Sequence, residues 1–142
     1  MAGSDVPAVS RGAYVLREAD DGAPQVILLA SGSEVQIALE AQEVLAGDGV
    51  PARVVSVPCM EWFAQQPREY RESVLPAEVR ARVSVEAATA MPWHRLVGDN
   101  GKTVSLEHFG ASAPYERLYA EFGLTAEAVV AAARESLSET AG

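Results

Sequence analysis

The stretch LLASGSEVQIAL, Leu28 to Leu39, decides how the rest of the chain is read. It opens as an unbroken apolar run, the mark of a strand buried on both faces, and closes as a helical pattern, with Ser31-Gly32-Ser33 at the corner between them. A strand that turns directly into a helix is the repeating unit of α/β proteins. The helix that follows such a corner offers unpaired N–H groups and the positive end of a dipole, so Ser31, Gly32 and Ser33 are a candidate weak anion site. Against this, the corner carries neither the G-x-G-x-x-G nor the G-x-x-x-x-G-K-[ST] pattern, and no Lys or Arg. Ser33-Glu34-Val35-Gln36 also matches a capping box, which makes Ser33 a helix cap as the competing reading.

Working outward, short β-branched runs bounded by Gly, Pro or Asp predict five strands, at Ala13–Leu16, Val26–Ala30, Ala52–Val57, Arg82–Ala87 and Thr103–Leu106. The intervening segments read as helices. From Glu34 to Ala46, Gln36, Glu40, Glu43 and Gly47 mark the polar side, and Gly47-Asp48-Gly49 ends the helix. Pro67–Leu75 and Pro114–Phe122 each open on proline, favoured in a first helical turn. A last helix runs from its cap Thr125 to Leu137, with Ala128, Val129, Ala132, Ala133 and Leu137 on its apolar side. Strands alternating with helices predict a mostly parallel sheet covered on both faces. Residues 1–10, rich in Ala, Gly, Ser and Pro, read as a linker or cloning remnant, and 11–142 as one α/β domain.

Twenty acidic against eleven basic residues give a net charge of −9, and the cations are scattered singly. Without a basic stripe, neither a nucleic acid nor an anionic membrane is an expected partner. One cysteine, Cys59, rules out an internal disulfide, no apolar run reaches the ~20 residues of a membrane span, and the start lacks a signal-peptide pattern, which together predict a cytoplasmic setting.

The side chains that could carry chemistry do not form a set. Cys59 follows Pro58 at a strand end, where a nucleophile could be displayed, but Met60-Glu61-Trp62-Phe63 supplies an acid and apolar groups instead of the base that forms a thiolate. His94 or His108, with Glu86 or Glu107, would be the start of a metal or proton-transfer site, yet the two histidines lie fourteen residues apart with no H-x-x-x-H spacing. No catalytic, cofactor-binding or metal-binding residue is therefore assigned. Met91, Trp93, His108, Phe109 and Tyr115 place large side chains beside the ends of predicted strands, and these are the candidate interface residues.

Four separated blocks, ASGSEVQIALEAQEVL, ARVVSVPCMEWFAQQPREYRESVLP, ARVSVEAA and HFGASAPYERLYAEFGLT, closely resemble in order and spacing the C-terminal domain of transketolase. The likeness runs from Arg11 to Leu137, and departs at Glu107-His108 and Thr89–His94. It implies a three-layer α/β/α domain with a five-stranded mixed sheet whose first strand is antiparallel to the rest. It also implies a parent enzyme of the pentose phosphate pathway, a homodimer that transfers two-carbon ketol units between sugar phosphates with thiamine diphosphate and Mg²⁺ or Ca²⁺. In that family the cofactor and substrate motifs belong to an N-terminal and a pyrimidine-binding domain, and none of them occurs in these 142 residues. The resemblance thus makes this chain an assembly domain without catalytic residues or cofactor of its own, with those domains as its partners. The rival reading is a free-standing anion-binding or regulatory module built on Ser31–Ser33.

Overall fold

The computed structural model describes residues 8–19, 23–86, 94–97, 102–105 and 125–141. Five strands, β1 (Tyr14–Arg17), β2 (Val26–Ala30), β3 (Ala52–Ser56), β4 (Arg82–Glu86) and β5 (Lys102–Ser105), form one sheet in the order β1-β3-β2-β4-β5. β1 pairs antiparallel with β3, Tyr14 opposite Ser56 and Val15 opposite Val55, with an irregularity between Val15 and Arg17. Every other pairing is parallel. All five expected strands are present, and the antiparallel one is the first, as the resemblance implied.

Helices cover both faces. α1 (Val35–Gly47) and α5 (Ala126–Ala141) pack on one side, α2 (Met60–Ala64), α3 (Arg68–Val74) and α4 (His94–Val97) on the other. The central strand shows why the sheet needs both. In β2, Val26, Leu28 and Ala30 enter the core beneath α1 and α5, while Ile27 and Leu29 enter the core beneath α2 and α3, and all five are fully buried. The two-residue period of a strand sends alternate side chains to opposite faces, so an apolar run without alternation is stable only between two helical layers.

Helix boundaries match the sequence where local chemistry sets them. α1 stops through the expected glycine: Gly49, at φ +80°, donates to Ala46 O at 3.1 Å and Val50 to Leu45 O at 2.8 Å, the paired bonds of a Schellman end. Thr125 caps α5 as expected, its hydroxyl accepting from the Ala128 N–H at 3.2 Å. Along α5 the fully turned-in residues are Val129, Val130, Ala133 and Ser136, so the buried stripe is displaced from the expected one, leaving Ala128 and Ala132 half-buried.

Two expectations need correction. Ser33 does not occupy the cap position of α1: it lies inside a 3₁₀ turn, Gly32–Glu34, and Ser31 and Glu34, which hold the cap positions of the turn and of α1, make no side-chain cap bond. The turn closes itself instead, Glu34 N–H donating to Ser31 O at 3.2 Å and Val35 N–H to Gly32 O. Pro67 precedes α3 as its cap, with extended ψ, and is not its first helical residue. The predicted helix Pro114–Phe122 lies outside the described residues, and α2 was not anticipated, because five residues are too few to establish a helical period.

Candidate functional site

The carboxyl ends of β2 and β3, where open α/β sheets bind ligands, bring together the Ser31 corner and the Cys59 turn. At the corner, Ser31 is extended and Gly32 takes φ +61°, with nothing within 4 Å of where its Cβ would stand. The space is open, but Glu34, in the same turn, is buried. The turn consumes two of its own N–H groups internally, so they are not offered to an anion.

Cys59 is half-buried, and its Sγ lies 3.5 Å from Glu61 Oε1. Its described side-chain partner is thus an acid. His94 opens α4, while Glu107, His108, Met91, Trp93, Phe109 and Tyr115 lie outside the described residues. Among the described residues no three His, Cys, Asp or Glu side chains are grouped to hold a metal ion, and no helix is long and apolar enough to cross a membrane.

What the structure displays, and the sequence did not, is a pair of arginines, Arg53 and Arg82, held by internal carbonyls. Arg53, the second residue of β3, forms two parallel bonds to Glu18, Nε to Oε1 at 2.9 Å and Nη2 to Oε2 at 2.8 Å. Its Nη1 donates to the Ser73 and Val74 carbonyls at 3.1 and 2.9 Å, tying β3 to the end of α3. Arg82, the first residue of β4, donates to the carbonyls of Val79, Leu96, Leu75 and Pro76 at 3.0, 2.7, 3.2 and 2.8 Å. Burial holds its pKa below the ordinary arginine value, opposed by the nearby Glu72 charge. Arg17 reaches Gln42, Leu39 O and Glu43 on α1, and the buried Gln42 in turn donates to Ala52 O at 2.9 Å. An arginine at a strand position reads as a surface residue in the sequence; that it is internal depends on carbonyls brought from elsewhere in the chain.

The N-terminal side of the domain is fastened in a different way. A 3₁₀ turn, Ala8–Arg11, leads to Gly12, whose carbonyl accepts from Cys59 N–H at 3.0 Å. The Arg11 guanidinium lies 4.7 Å over the Tyr70 ring, and the Tyr70 hydroxyl donates to Ala13 O at 2.7 Å. Burial pushes the Tyr70 phenol above its ordinary pKa, with the Arg11 cation pulling the other way. A shallow groove of about 870 Å³ runs between α2, α3 and Leu96 of α4, lined by Met60, Phe63 and Leu75 with Arg71, Glu72 and Arg82.

These features define a class: a three-layer α/β/α domain with an antiparallel edge strand, in which Arg53 and Arg82 are bonded to the protein's own backbone. Comparison with known proteins gives the same answer. A family profile described as "Transketolase-like TK C-terminal domain" matches residues 12–125. Transketolase of Mycobacterium leprae is 54% identical over 140 residues, covering 96% of this chain and 20% of its own length. Transketolase of Mycobacterium tuberculosis is 55% identical over 139 residues, with 95% and 20% coverage. The solved transketolase from Leishmania mexicana superposes with a TM-score of 0.83 at 42% identity, over 93% of this chain and 19% of that one. The chain belongs to the transketolase C-terminal domain family. It spans about a fifth of the length of the curated relatives it matches.

The residues described do not fit a resident thiamine diphosphate. A diphosphate and its metal require cations or N–H groups facing the ligand together with metal-binding oxygens, whereas Arg53 and Arg82 are committed to internal partners and no three His, Cys, Asp or Glu among the described residues are grouped to hold a metal.

Proposed function

We propose that this chain is the C-terminal assembly domain of a cytoplasmic, homodimeric transketolase, in which N-terminal and pyrimidine-binding domains hold thiamine diphosphate and Mg²⁺ or Ca²⁺ and carry out ketol transfer between sugar phosphates. In that enzyme this chain supplies a packed surface and no reacting group. The observation that carries the reading is the identity of 54% sustained over 96% of the chain against 20% of the relative. The inward-turned arginines agree with it, because side chains spent on internal carbonyls rigidify a scaffold and are withdrawn from any ligand. The turn's own use of the Glu34 and Val35 N–H groups weighs against the rival anion module at Ser31–Ser33.

The test is a chimera in which this chain replaces the matching segment of the M. tuberculosis transketolase. Thiamine-diphosphate-dependent ketol transfer is expected in the chimera, and a soluble, folded chimera that lacks it overturns the reading.

A further inference from the structure

We infer that α2, centred on Trp62, is a surface on which the preceding part of a transketolase docks; this rests on the reading above and names the face involved. Trp62 is 49% exposed, one of three large apolar side chains that the described structure leaves open, with Leu16 and Val44. Tryptophan is costly to leave in water and is over-represented among the side chains that dominate binding energy. Two observations say what covers it.

The first is where the chain arrives. Ala8–Arg11 packs on α2, Gly12 is bonded to Cys59 just before that helix, and a Cβ at Gly12 would lie 2.9 Å from the Trp62 carbonyl carbon. In a longer chain, whatever precedes Ala8 is tethered on the α2 side of the domain, which raises its effective concentration at the exposed indole. The second is how much is joined there in the relatives. The matched segment is 20% of their length and its family is a C-terminal domain, so the bulk of those proteins is attached on this side.

The fit required of the partner follows from the side chain: an apolar pocket with an acceptor for the indole N–H. Val44 serves as an internal control, because it is equally open but sits on α1, in the layer on the far side of the sheet.

The same chimera separates this inference from the reading it rests on. Hydroxyl-radical footprinting, read residue by residue by mass spectrometry, compares the isolated chain with the chimera. Trp62 is expected to be oxidised at least about fivefold more slowly in the chimera, as for an interface centre closed to water, with Val44 unchanged. Trp62→Gln should leave the melting temperature of the isolated chain unchanged and lower that of the chimera. An active chimera in which Trp62 is oxidised as fast as in the isolated chain overturns the docking surface and leaves the proposed function standing. Protection of Trp62 in an inactive chimera supports the surface and overturns the function. Neither activity nor protection overturns both.

Discussion

Arg53 shows how a single residue converts a strand into part of a scaffold. Its guanidinium is almost wholly buried, and removing such a charge from water costs several kcal/mol unless hydrogen bonds offset it. Four do, two to Glu18 and two to the last carbonyls of α3. The Arg53 bonds hold the Glu18 carboxyl below its ordinary pKa of 4.5, against the smaller opposing effect of burial. A carboxylate with a depressed native pKa stabilises the fold above its unfolded pKa, and that stability is lost as the pH falls through the native value. Glu18→Gln is therefore expected to cost about 1–3 kcal/mol at neutral pH, kept to that range because the Glu18 side chain is 42% exposed. The difference from wild type should shrink steadily below pH 4.5. Thermal melts of both proteins across that range check this; a gap that persists undiminished into strong acid would mean that the ion pair is not its source.

At the scale of elements, two glycines with the same backbone requirement are used for different purposes. Gly32 (φ +61°) turns the chain from β2 into α1 in open space, whereas Gly12 (φ +85°) lets the leading segment press against α2. A Cβ at Gly12 would stand 2.3 Å from both Cys59 O and Phe63 N, which are backbone atoms and cannot swing aside. Gly32→Ala should cost only the left-handed penalty, about 1–2 kcal/mol. Gly12→Ala adds overpacking to the same penalty and should cost about 3 kcal/mol or more. Denaturant unfolding of the two variants measures the gap, and hydrogen exchange at Met60–Ala64 should rise in Gly12→Ala alone. Equal costs would show that the leading segment yields without dislodging α2. Arg82 plays the corresponding part at the other end of this layer, where one guanidinium gathers the end of α3, Val79 and α4.

At the scale of the whole molecule, a domain with a net charge of −9 and inward-facing arginines is poorly made to hold a diphosphate by itself. Titration of the isolated chain with thiamine diphosphate and Mg²⁺ should give no saturable heat, and the isolated chain should transfer no ketol groups, because catalysis requires groups preorganised around the cofactor. Micromolar binding in calorimetry would overturn this and make the chain more than an assembly domain. The same molecule presents its apolar surface unevenly, with the open indole of Trp62 in the layer where the chain enters and a satisfied sheet behind it.

The sequence by itself determined the sheet and most of its helices, because those depend on periods and caps that a few neighbouring residues carry. The unbroken run Val26–Ala30 could only be a strand covered twice; Thr125 and Gly49 wrote the ends of their helices locally. The antiparallel sense of β1 came through resemblance, since four residues carry no direction of pairing. Only the tertiary structure decided the rest. A 3₁₀ turn, closed by Glu34 and Val35 N–H on the Ser31 and Gly32 carbonyls, moved the start of α1 beyond Ser33, and α2 formed where Gly12 and Cys59, forty-seven residues apart, meet. Arg53 and Arg82 became internal for the same reason: a guanidinium can be buried only where several acceptors converge on it, and those acceptors come from segments that the chain brings together by folding.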